Sequence, residues 1–252
     1  MYWVSWPGPC KHGTYPTVTL NGKSLTWNHS VKHLGHVLSC GLGFDEDMNV
    51  KKGQFIGCVN NISTEFGFAH PVVKTSLLTT YGTSFYGSVL WNLYGKTAQK
   101  LYTTWNISLR RLFHLPYQTH TRFLDHITQT THLSISLKIR FLNFIAKLSK
   151  SNNVLVHNML FYSLTNNCSP SGLNLSRILS EFDICTATNY RDYMSCACKL
   201  LLTKYTEQCT LPSEEMAYCY IIQDLINCTQ GIYTCGLTND ECQVIIDQIT
   251  TL

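Results

Sequence analysis

Between residues 96 and 114 the chain alternates apolar and basic positions with the 3.6-residue period of a helix. Ala98, Leu101, Trp105, Leu109 and Leu112 fall on one side, with Ile107 the main exception. Lys96, Lys100, Arg110, Arg111 and His114 fall on the other, within an arc of about 100° at 3.6 residues per turn. This predicts an amphipathic helix with a core face and a cationic solvent face, ended by Pro116. A plain solvated helix and one that follows a polyphosphate backbone share this pattern.

The period changes along the chain. Residues 17–40 alternate with period two, and Asn21-Gly22 between two β-rich runs predicts a two-residue hairpin. The run 31–38 supplies a third strand, with Gly35 allowing close backbone approach. From residue 51 onward helical spacing takes over, with Phe55, Ile56, Val59, Ile62 and Phe66 on one face. Pro71 suits the first turn of a second helix reaching to about residue 94. Thr119 is placed to cap a short helix over 122–130. Residues 134–151 form another amphipathic helix, with Leu137, Phe141, Phe144, Ile145 and Leu148 inside and Arg140, Lys147 and Lys150 outside. Residues 154–164 read as a buried helix, and 166–174 as a linker rich in turn formers. Shorter helices are expected at 189–205, 212–229 and 238–249, the last opened by a Thr238/Glu241 capping box.

The sum is a mainly α chain. A helical bundle (51–165) is preceded by a small hairpin or three-strand unit (1–50) and followed by a short helical C-terminal region (166–252).

Charge adds a division that the net value of +4 hides. Residues 48–177 hold thirteen Lys/Arg against two acids, a balance of +11 (13 − 2). Residues 178–252 hold three against ten, a balance of −7 (3 − 10). The basic block suggests an anionic partner and the acidic segment does not. The uncharged interval from Lys74 to Lys96 contains Thr, Ser, Gly and Asn throughout, so a buried helix is a better reading than a membrane span.

Twelve cysteines suit a secreted disulfide framework, but MYWVSWPGPCKHG has neither a basic n-region nor an apolar h-region. The sequon at Asn106 sits on the basic helix, where a glycan is awkward. The cysteines are therefore read as free thiols in an intracellular protein, nuclear or cytoplasmic, and not a secreted one. Zinc is disfavoured because Cys196 and Cys198 form the only close pair in the C-terminal set. The spacing of His114, His120, His126 and His132 follows no helical face and assigns them no ligand role. Asp45, Glu46 and Asp47 invite the thought of a metal but lack partner ligands at suitable spacing, which favours a solvated turn. No nucleophile elbow, P-loop or dinucleotide fingerprint occurs, which removes a small-molecule substrate from the expectation. With only Glu65 and Asp125 in the basic block, clustered carboxylates for two-metal catalysis are lacking there.

Four motifs in register carry a resemblance: S-V-K-H-L-G-H-V-L (30–38), Y-G-S-V-L-W (86–91), W-N-I-S-L-R-R-L-F-H-L-P (105–116) and T-H-T-R-F-L (119–124). Together they resemble the C-terminal part of reverse transcriptases from LINE-type non-LTR retrotransposons, over a region from about Pro16 to the end. The closing L-x-x-x-E-C-Q-V-I-I (237–246) is similar to the way such reading frames finish.

The resemblance implies that 1–50 is the end of a palm and that His33-Leu34-Gly35 matches its primer-grip hairpin. It implies that Trp105, Arg110 and Arg111 belong to a thumb lying along an RNA/DNA template-primer duplex; Lys96, Lys100 and His114 on the same cationic face, and Arg122 beyond it, are expected as further contacts. The family's palm binds magnesium through a Y/F-x-D-D motif and an upstream Asp, and neither occurs in this sequence. A truncated copy or fragmentary gene model, able to bind nucleic acid and unable to polymerise, is the resulting expectation. The alternative is a helical protein–protein adaptor with no nucleic-acid role. Oligomeric state is not legible in the sequence.

Overall fold

Asn21 and Gly22 make the turn their residue types predict. Both have left-handed backbones (φ 52° and 75°), as a type I′ turn requires, and they join strands β1 (Val18–Leu20) and β2 (Lys23–Leu25). The computed structural model describes residues 17–25, 30–39, 44–165 and 169–181, together with Thr203 and Cys219. Apart from Thr203 and Cys219, the expected helices beyond residue 188 lie outside these, as do the Cys196/Cys198 pair and the Thr238 capping box. The run 31–38 is not a third strand of the first sheet. It folds into a second hairpin, β3 (Ser30–His33) with β4 (His36–Ser39), around Leu34 and Gly35 at φ 47° and 81°. Two adjacent left-handed residues again give the twist that closes a two-residue loop, here with leucine where Asn or Gly is usual.

Helix α1 (Asp45–Glu65) begins six residues before the expected start at 51, because the acids read as a solvated turn are its first turn. Carboxylates there complement the helix dipole. Asp47 is a clear correction: it is only 1% exposed. Its Oδ1 accepts from the Val37 amide at 3.0 Å, and its Oδ2 accepts from the Trp91 indole Nε1 at 2.9 Å. His36 Nδ1 lies 3.3 Å from the same Oδ2 and, facing an acceptor-only group, must carry its proton there. One carboxylate thus joins the hairpin, α1 and the loop ahead of the basic helix. The His36 ring also stacks on Tyr86 (centroids 4.8 Å apart, 27° between planes). Gly87 (φ 79°) passes beneath that ring so closely that a Cβ there would sit 1.8 Å from it.

The helix expected over 71–94 is shorter. Helix α2 (Pro71–Leu77) widens into a π-helical turn (Leu78–Gly82), and an irregular segment with one 3₁₀ turn (Ser88–Leu90) leads to α3 (Lys96–Leu112). Thr83, which follows the π turn, offers its carbonyl to Arg140 Nη1 at 2.7 Å. Arg140 is therefore not an outward cation, and burial pushes its pKa down. The core gathers Phe55, Leu78, Phe85, Trp91, Trp105 and Phe141 from α1, this segment, α3 and α5 (Leu133–Ser149). Phe55 stacks on Trp105 at 5.5 Å and Phe85 meets Trp91 edge-on at 5.8 Å, geometries that add to the gain from area burial. Cys58 is a free thiol whose pKa burial raises, and Cys219 is buried against the core.

Helix α6 (Val154–Thr165) forms as expected but is mostly not buried. Only Leu160 and Leu164 face the core, while Val154, Leu155, Met159, Phe161 and Tyr162 are 64–72% exposed. Residues 170–174, read as linker, open helix α7 (Pro170–Glu181), for Pro170 occupies a first-turn position where its missing N–H costs nothing. Asn174 of α7 is fully buried and mimics a strand partner: its Nδ2 donates to Trp91 O (2.7 Å) and its Oδ1 accepts from Leu93 N (2.9 Å).

Histidines open three helices. In α2, α4 (Thr121–Thr128) and α5, the Nδ1 of His70, His120 and His132 accepts from the backbone N–H two residues on, at 3.2–3.3 Å. Thr119, the expected cap, is one residue too early and is buried. An accepting Nδ1 must be unprotonated, and burial followed by the charge of Lys138 holds the His132 pKa below its usual value. The unfolded chain binds this proton more readily, so stability is greatest above the ordinary histidine pKa of about 6.5 and falls as pH drops below it. In urea titrations, His132→Asn, which keeps a capping oxygen without a titratable ring, is expected to flatten the decline between pH 7.5 and 5. An unchanged slope would remove His132 as its source.

Candidate nucleic-acid interface

Helix α3 starts at Gly95, whose extended backbone carries no capping side chain. It ends in a Schellman closure. His114 is left-handed (φ 54°), Leu115 N donates to Arg110 O at 2.8 Å, and His114 N points to Arg111 O at 3.4 Å. The helix therefore stops at Leu112, ahead of Pro116, and His114 leaves the helical row while remaining exposed. Leu115, buried beneath it, supplies the apolar contact that accompanies this motif.

The inner face is as expected, with Ala98, Leu101, Trp105, Leu109 and Leu112 buried, joined by Tyr102 and Ser108. On the outer face Lys96, Lys100 and Arg111 are exposed in a row about 60° wide at 3.6 residues per turn, with Ile107 between them. No described carboxylate pairs with these three cations. At 1.5 Å per residue the row runs about 22 Å from Lys96 to Arg111, the axial length of some six phosphates along one strand. Arg122, exposed on α4, holds its guanidinium 4.7 Å from the centre of the Phe123 ring.

Arg110 does something else. Its Nε and Nη2 donate to Thr119 O at 3.0 and 2.7 Å, and Nη2 lies 3.2 Å from Thr121 Oγ1. Half-buried, with its pKa pushed down by desolvation, it pins the α3–α4 loop and is not turned toward a phosphate. Arg110→Met is expected to lose about 1–2 kcal/mol of unfolding free energy, the worth of a charge-assisted hydrogen bond at a partly exposed site. On the duplex-binding expectation, Arg110→Met should change affinity for nucleic acid less than about twofold, whereas Arg111→Glu should do the reverse. Chemical denaturation beside hybrid titration separates them, and a large affinity loss in Arg110→Met at unchanged stability would return Arg110 to the interface.

His33, Leu34 and Gly35 form the tip of the second hairpin, with Leu34 74% exposed. Helix α1 touches both β4 and α3, and Asp47 fixes the hairpin at its N-terminal end. No local pattern marks Asp47 as the joint, since its partners lie 10, 11 and 44 residues away.

No family model, curated protein or solved structure matches the chain.

Two of the described carboxylates are already engaged within the chain. Asp47 is committed to its three donors, and both oxygens of Glu181 receive the Lys138 ammonium at 2.7–2.8 Å. No three His, Cys, Asp or Glu side chains gather among the described residues. No described helix is long and apolar enough to cross a membrane.

Proposed function

We propose that this chain is the thumb and C-terminal part of a LINE-type reverse transcriptase, and that it binds an RNA/DNA template-primer duplex through its basic helix. The observation that carries the reading is the acid-free row Lys96–Lys100–Arg111 on the outer face of α3, with Arg122 on the next helix. Point charges on long side chains suit phosphates, which position a duplex without reading its sequence. The four motifs support the same reading: one holds the hairpin tip, one the Tyr86–Trp91 loop and two the α3–α4 connection. In this reading the hairpin at His33-Leu34-Gly35 offers backbone to a primer end, and polymerisation requires carboxylates and magnesium that the described residues do not provide.

Titration of an RNA–DNA hybrid against the full chain at two salt concentrations tests it. Binding that weakens steeply with salt is expected. Absence of binding at low salt, or indifference to salt, overturns it.

The exposed row on α6 favours a second reading, a helical adaptor that buries Leu155, Met159 and Tyr162 against another protein. That reading expects partner binding to survive Arg111→Glu, whereas the duplex reading expects hybrid binding to fail.

A further inference from the structure

Helix α6 is apolar on every side, and a helix of that kind is normally covered on every side. Its inner face packs through Leu160 and Leu164, whereas Val154, Leu155, Met159, Phe161 and Tyr162 stand 64–72% exposed. At about 100° per residue these five spread over an arc of roughly 160°, interrupted by Asn158 and Thr165. With about 150–250 Å² for a whole aromatic side chain, Phe161 and Tyr162 alone leave about 200–330 Å² open. The three apolar side chains beside them bring the face to about 600–800 Å², the area per partner at the lower end of specific interfaces.

Charge decides what can lie on it. Residues 151–176 contain no Lys, Arg, Asp or Glu, although they fall within the block 48–177, whose balance is +11 (13 − 2). A strongly acidic or basic partner finds nothing to pair with here. Two copies of this chain, by contrast, repel each other across their basic surfaces and can meet on this face without opposing like charges. The helix is also suited to its own copy. Leu155, Asn158, Tyr162 and Thr165 follow the three-four spacing of a helix–helix seam, with Asn158 near its midpoint. A carboxamide carries donor and acceptor together, so across a two-fold axis Asn158 pairs with itself.

We infer that α6 is the seat of a two-fold self-association, in which the helices of two copies lie antiparallel. Leu155 of each copy faces Tyr162 of the other, the two Asn158 carboxamides meet between them, and Met159 closes the flank. Every contact is then made twice, the reciprocity that a two-fold axis imposes. The inference stands on α6 alone, so the duplex reading can fail with this self-association intact, and the reverse.

Sedimentation velocity of the full chain without nucleic acid, from about 1 to 300 µM, tests it. The parent is expected to pass from monomer to dimer within that range, as an interface of this modest area allows. Leu155→Glu and Tyr162→Glu, made separately, bring a charge into the seam and should move the transition to at least about tenfold higher concentration. Their helical circular dichroism should match the parent's, because both side chains are exposed. Phe68→Glu, at a 94% exposed position in the turn after α1, is the control and should leave the transition where it is. Raising salt from 50 to 500 mM screens the repulsion between basic surfaces, so the dimer should hold or tighten, the opposite of hybrid binding. A parent that stays monomeric to 300 µM overturns the inference; if Leu155→Glu then lowers its melting temperature, the face belongs to another segment of the same chain. A dimer indifferent to both α6 variants, or one that loosens as salt rises, overturns it as well, the latter in favour of pairing between the basic and acidic blocks.

Discussion

Asp47→Ala is expected to lower the unfolding free energy by about 3 kcal/mol, because it strands the Trp91 indole N–H and the Val37 amide with no acceptor in a buried site. For a chain of this size that corresponds to a fall in melting temperature of about 6–12 °C. Glu46→Ala, one residue away, removes an exposed carboxylate that receives only a 3.4 Å contact from Ser30. It should change stability by less than about 0.5 kcal/mol. Asp47→Asn keeps one accepting oxygen and belongs between them. A double-mutant cycle with Trp91→Phe then isolates the indole–carboxylate term, with a coupling of about 1 kcal/mol or more expected. Equal melting temperatures for Asp47→Ala and Glu46→Ala would show that this carboxylate does not hold the hairpin to the bundle.

The second large effect concerns salt. Counting Lys96, Lys100, Arg111 and Arg122 as four phosphate contacts, log affinity should fall with log salt at a slope of about −3.6, so that moving from 50 to 200 mM weakens hybrid binding about 150-fold. Lys100→Gln with Arg111→Gln removes two contacts and should reduce that loss to about tenfold. The double variant also binds more weakly at low salt, and its melting temperature stays near that of the parent because both side chains are solvent-exposed. Fluorescence anisotropy across a salt series gives the slope directly. A slope unaltered by the double variant would place the duplex elsewhere on the chain.

The parts of this fold that local pattern determines were readable from the residues alone. Asn21-Gly22 forces its turn through backbone conformation, and α3 buries the face its period marks. What escaped depends on partners distant in sequence. Arg110 and Arg111 are neighbours with identical side chains, and only the position of Thr119 O decides that one is structural and the other exposed. Lys138 looks like any solvent-facing cation until Glu181, forty-three residues on, is placed against it. The early end of the 71–94 helix has the same origin, since Phe55 and Leu78 pack against Gly82 where a longer helix would continue. Histidine caps were missed because the imidazole acceptor does the work usually given to Ser, Thr, Asp or Asn. Candidate residues on the basic row were legible for the same reason as the helix.

The wiring of Asp47 also sets an order of events. The hairpin amide and imidazole are ten and eleven residues from the carboxylate, whereas the indole is forty-four away, beyond α1, α2 and the π turn. Closing the short loops is fast and closing the long one is slow, so the hairpin meets α1 before Trp91 arrives. Full occupancy of this acceptor is then expected late in assembly, and Asp47→Ala should speed unfolding more than it slows folding when the two rates are measured by stopped-flow. The lifetime of the joined hairpin, more than the rate at which it forms, is what this one carboxylate controls.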